Sequence, residues 1–263
     1  MKPQKTSSPT SGRRQKLSRL NFPPTGFKGL GNPWLVVLNV LIIFIFSQFV
    51  AVFLVEIFSA IVHSGPDVLD NSILAQFFYV LLAEGLAAGL VIAIVKRRKV
   101  SLSTIGLGRK PKLSDAPKAA IGFLAYYLIL IVASLIVSAF FPNYDRGSQD
   151  IGFNNLNGAF QMMVAFFSLV ILPPLGEETL VRGYLYGGLR QKYRFIPAML
   201  VTSLFFGAAH LFTGDSGLLW GAGLNTFVLS LVLVALRENT GALYAGMLVH
   251  ALNNAIAFGF HFH

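Results

Sequence analysis

Gly176-Glu177-Glu178-Thr179-Leu180-Val181-Arg182-Gly183 follows directly on an apolar run, 160–175, whose only break is Pro173-Pro174. Two adjacent carboxylates and an arginine therefore fall at the end of, or inside, a membrane span. Ionisable groups at that depth are costly and face a cavity or a partner. Helical spacing separates the two acids. Glu178 and Arg182, four apart, share a face and can pair. Glu177 lies about 100° further round, where Arg182 does not cover it. On this reading Glu178 is structural and Glu177 is left for chemistry. The plainer reading is a pair of interface acids at a helix start, where the macrodipole favours negative charge.

The rest of the chain supports the membrane setting. Of its 263 residues, 54% are hydrophobic and 12% charged, too apolar a balance for an ordinary soluble domain. Seven apolar spans are expected, approximately 34–58, 73–95, 119–141, 158–175, 195–212, 218–236 and 242–260. The fold class is all-α, a polytopic membrane bundle of about seven or eight transmembrane helices. Three regions follow: a basic, acid-free tail (1–32) expected to be disordered, a transmembrane hairpin with a basic loop (33–118), and a larger membrane domain (119–263). The acid-poor tail also fits an organellar transit peptide, and the late first span argues against a cleaved secretory signal.

The net charge of +10 does not point to nucleic acid. The basic residues lie between spans, in the pattern that sets membrane orientation. With the N-terminus cytosolic, the segment 96–118 is a cytosolic loop and only Arg146 of the 21 Lys and Arg falls on the outer side. The outer loops instead carry Asp67, Asp70, Asp145, Asp150 and Asp215. Cysteine is absent, which removes disulfides, thiolate nucleophiles and Cys-type zinc sites. Glu84, mid-span among Gly and Ala, reads as a hydrogen-bonded or protonated packing residue.

Two further polar clusters sit in apolar spans. In Phe206-Gly207-Ala208-Ala209-His210, His210 shares a face with Phe206. In His250-Ala251-Leu252-Asn253-Asn254, His250 and Asn254 project together, with Asn253 adjacent. Either alone is compatible with a hydrogen bond between helices. Together with Glu177 they supply what is needed to activate water and stabilise an oxyanion. Glu177, His210 and His250 are equally a donor set for zinc. The His-Glu-x-x-His helix, the Gly-x-Ser-x-Gly turn and the phosphate-binding loop are all missing, and no internal repeat supports a transporter.

Glu177-Glu178-x-x-x-Arg182, Phe206-x-x-x-His210 and His250-x-x-x-Asn254, in this order, resemble the motifs of the CAAX prenyl protease and bacteriocin-processing (CPBP, or Abi) intramembrane proteases. The resemblance covers about 119–260 and includes the proline before the acids and the Arg182-Gly183 pair. It departs at Val181, where the family usually has an aromatic residue. It implies a membrane-embedded endopeptidase acting on a peptide or lipidated-protein substrate in the bilayer, with a cavity open to the cytosol. The implied location is a bacterial plasma membrane. Glu177 is then the general base assisted by His210, with His250 and Asn254 the oxyanion donors and Glu178, Arg182 and Phe206 supporting. A zinc version on Glu177, His210 and His250 is equally drawable, and a non-enzymatic immunity or scaffold protein of the same fold is the competing class. The catalytic reading requires Glu177, His210, His250 and Asn254 to line one cavity, with Glu178 and Arg182 turned away from its centre.

Overall fold

The computed structural model describes residues 26–62, 68–144, 151–153, 156–212 and 217–262. Residues 1–25 of the expected disordered tail lie outside these, as do Arg146 and all the outer acids except Asp70. Every described regular element is helical, as expected. α1 is Pro33–Ile61, α2 a single turn Val68–Asn71, α3 Ile73–Arg97 and α4 Asp115–Phe140. α5 runs from Ala159 to Arg190, α6 is Phe195–Ala209, α7 Trp220–Thr240 and α8 Tyr244–Phe262. Five of these (α1, α3, α4, α5 and α7) are long and apolar enough to cross a membrane. α6 is apolar but shorter, and α8 carries the histidines and asparagines of the third cluster. Cap chemistry sets several boundaries. Asn32 Oδ1 accepts from the Trp34 amide ahead of α1, Ser72 Oγ from the Ala75 amide ahead of α3, and Gly241, at φ +68°, ends α7 in the left-handed conformation.

Packing follows the helical period. α1 buries Val36, Val40, Ile43, Ser47, Ala51, Val55 and Ser59, one stripe spaced every three or four residues. α3 answers with Ala75, Ala83, Ala87, Val91 and Val95. Small residues on such stripes let helices approach closely where lipid removes the hydrophobic drive for association. The opposite faces carry Ile45, Phe49, Ile121, Leu124 and Leu135, all more than 60% exposed, which is the surface a bilayer covers. At the crossing of α6 with α7, a Cβ on Gly207 would stand 2.9 Å from the Gly223 carbonyl oxygen.

One end of the bundle gathers the basic segments. Arg237 Nη2 donates to the Thr104 carbonyl at 2.8 Å, the Leu243 amide to Gly106, and the Tyr244 hydroxyl to the Arg109 carbonyl. The loop between α3 and α4 is thus fastened across the end of α7 and the start of α8. Phe27 and Leu30 are buried beside α5. The last residues of the expected tail therefore belong to the core, because their apolar side chains find cover against Tyr186 and Gly187.

Candidate active site

α5 is where the structure departs most from the spacing argument. The expected span 158–175 does not end at the prolines. The helix continues to Arg190, through a π segment Phe167–Ile171, an α segment Leu172–Glu177 and a second π segment Glu178–Leu185. Proline cannot donate an N–H and crowds the preceding turn. The wider π turn ahead of Pro173-Pro174 absorbs that conflict, and π segments recur at functional sites. Glu177 and Glu178 consequently lie inside a continuous helix, not at its start.

Glu178 is almost wholly buried, and its Oε1 stands 2.9 Å from Arg182 Nη1 on a fully buried arginine. That is the expected i,i+4 pair. Although the approach is close, none of the three Arg182 nitrogens makes a hydrogen bond of regular geometry. The guanidinium instead lies over the Phe206 ring, with Cζ 4.0 Å from the centroid. Val181, the departure from the motif, is a buried packing position.

The expectation that Glu178 turns away from the centre is not met. Its Oε1 also faces His250 Nδ1 at 3.1 Å, while His250 Nε2 faces Glu177 Oε2 at 3.7 Å. The imidazole therefore stands between the two glutamates, one on each ring nitrogen. A carboxylate paired with Arg182 accepts from an Nδ1–H, which fixes the tautomer: Nε2 accepts when the ring is neutral and donates when it is the imidazolium. Glu177 is a quarter exposed, but its Oε2 is buried without a hydrogen-bond partner.

His210 closes α6, its Nδ1 2.9 Å from the Phe206 carbonyl. Phe206 packs against both histidines, with ring centroids 4.7 Å from His210 and 5.9 Å from His250. Asn254 Nδ2 donates one of its two hydrogens to the Leu169 carbonyl at 3.1 Å. A cavity of about 880 Å³ opens among the ends of α4 and α6 and the start of α7, with Gly207, Ala208 and Leu211 in its wall. None of Glu177, His210, His250 and Asn254 lines it, so the single shared cavity is not what this space provides.

Among the described residues, no group of three or more His, Asp and Glu side chains is arranged to hold a metal ion. Sequence reasoning passed over the seat of Glu84. A Cβ on Gly176 would fall 2.0 Å from Glu84 Oε2 and 2.9 Å from Glu84 Cα. Gly176 is what lets α3 reach the site helix, and it places a third carboxyl group beside Glu177; the only legible signal was a glutamate in a Gly/Ala-rich span.

A carboxylate–imidazole–carboxylate cluster thus sits inside a bundle of apolar helices. Residues 159–256 match the family model described as type II CAAX prenyl endopeptidase Rce1-like. The membrane-embedded CAAX protease MroQ of Staphylococcus aureus (strain USA300) is 26% identical over 186 residues, covering 67% of this chain and 71% of that protein. No solved structure matches. Residues 159–256 are thus similar to the type II CAAX prenyl endopeptidases, and the long apolar helices make the chain an integral membrane protein.

Proposed function

We propose that this protein hydrolyses a peptide bond near the C-terminus of a membrane-associated substrate, of the prenylated CAAX type, from within the bilayer. The observation that carries the reading is His250 held between Glu177 and Glu178. Glu177 takes a proton from water, and the water oxygen attacks the scissile carbonyl carbon. The oxyanion accepts from Nε2–H of the His250 imidazolium, whose Nδ1–H stays on Glu178. The proton on Glu177 then passes to the leaving nitrogen as the carbon–nitrogen bond breaks, giving a carboxylic acid and an amine. His210, its Nδ1 engaged by the Phe206 carbonyl, offers the Nε2 side of its ring to assist that transfer. No step runs through a metal.

The family model and the name of the relative support this substrate class. The orientation we propose puts the N-terminus and the 96–118 loop in the cytosol. Ser103→Cys should stay unlabelled by an impermeant thiol reagent applied to intact cells, since no native cysteine interferes.

The test of the activity is cleavage of a farnesylated CAAX peptide in proteoliposomes. Wild type should cleave it, and Glu177→Gln should lose about 10²- to 10⁴-fold in kcat while melting like wild type. If wild type cleaves neither that peptide nor a bacteriocin-precursor peptide, the immunity or scaffold reading takes its place.

A further inference from the structure

In an α-helix the Leu169 carbonyl would receive the N–H of residue 173, and in a π turn the N–H of residue 174. Both positions are proline, and neither has an N–H to give. The Leu169 oxygen thus has no donor within α5 in either register. Backbone groups in a span must be satisfied from within the protein. Asn254 Nδ2 meets this one at 3.1 Å, from the neighbouring helix α8.

The position of that contact matters as much as its chemistry. Pro173-Pro174 is where α5 is most able to bend, because its own ladder is interrupted there. α8 grips α5 on both sides of this joint: Asn254 holds Leu169 before it, and His250, one turn earlier on α8, meets Glu177 and Glu178 after it. A change at the first contact alters how Glu177 is presented at the second.

We infer that Asn254 is a positioning residue, whose side-chain amide replaces the N–H that Pro173 lacks and so sets Glu177 against His250. This rests on the peptidase reading for its effect on turnover.

The test is a chemical complementation with wild type, Asn254→Ala, Pro173→Ala and the double variant. Alanine at 173 supplies a backbone N–H that reaches the Leu169 carbonyl in the α register. Asn254→Ala should melt at a lower temperature in detergent and lose about 10²-fold in kcat on the farnesylated peptide, with KM nearly unchanged. The double variant should recover both, with kcat within about threefold of Pro173→Ala alone. If Asn254→Ala does not fold, recovery of folding in the double variant is the same test. A double variant that regains its melting temperature but stays as slow as Asn254→Ala makes Asn254 an oxyanion donor and overturns the proposal. So does a double variant less stable than Asn254→Ala, or an Asn254→Ala protein that melts and turns over like wild type. The melting comparison needs no substrate, so it decides the hydrogen bond even where no peptide is cleaved; absence of cleavage by wild type counts against the peptidase reading alone.

Discussion

α5 carries two buried arginine–carboxylate pairs, and they are finished in opposite ways. At the basic end of the bundle, Arg190 donates to Glu238 through Nη2 at 2.8 Å and through Nε at 3.2 Å, and its Nη1 donates to the Tyr193 carbonyl at 3.1 Å. The Tyr186 hydroxyl completes the other Glu238 oxygen. In the middle of the bundle, Arg182 lies 2.9 Å from Glu178 yet makes no aligned hydrogen bond, leans on Phe206, and shares its carboxylate with His250. A buried network with every donor placed makes the fold specific and rigid. A buried polar group left short of partners needs another explanation, and function is the usual one. On the proposed function, the Arg190 cluster is a clamp and the Arg182 cluster belongs to the site.

The largest effect expected from this contrast is on stability at the clamp. Arg190→Ala leaves Glu238 without its main partner and the Tyr193 carbonyl without its donor, and should cost about 3–5 kcal/mol, read from denaturation in detergent, while turnover per folded molecule stays near wild type. A variant as stable as wild type would show that the pair is not a clamp. Glu178→Ala comes next. It strands Arg182 in a fully buried place and releases His250 Nδ1, so about 3 kcal/mol of stability and most of kcat should go together. Full activity and stability in Glu178→Ala, with Arg182 equally dispensable, would sink the pairing argument. Gly176→Ala is milder. Its new Cβ meets Glu84 Cβ and Cα at 2.8 and 2.9 Å, so α3 must shift, at about 1–3 kcal/mol and a reduced kcat. If that variant behaves as wild type, the close approach of α3 is not needed. The smallest effect is none: on the metal-free mechanism proposed, a zinc chelator such as 1,10-phenanthroline should leave turnover unchanged, and a loss reversed by added zinc would favour the zinc version on Glu177, His210 and His250.

Much of the fold was legible because it depends on period and composition. The α1 stripe from Val36 to Ser59 and the Glu178–Arg182 pair both follow from helical spacing. What stayed hidden depends on hydrogen-bond register and on contacts distant in sequence. Pro173-Pro174 reads as the end of a span, and only the π register shows how α5 passes through it. Glu178 reads as facing away from Glu177 because 100° separates neighbours on an α-helix, yet both reach His250 from either side. The contact of Asn254 with Leu169 carries no signal beyond the two prolines that follow. Arg190 and Glu238 pair from separate helices, and nothing local links them. Phe27 and Leu30 were lost in a basic tail because two apolar residues are too few to declare a buried segment.

The contrast between site and clamp is tested most directly by measuring turnover and melting temperature side by side for Glu177→Gln and Glu238→Gln. The two effects should cross. Glu177→Gln should lose about 10²- to 10⁴-fold in kcat on the farnesylated peptide in proteoliposomes and melt like wild type. Glu238→Gln should melt lower and retain turnover in its folded fraction. An active Glu177→Gln protein, or a pair of variants that lose stability and activity together, would contradict the account.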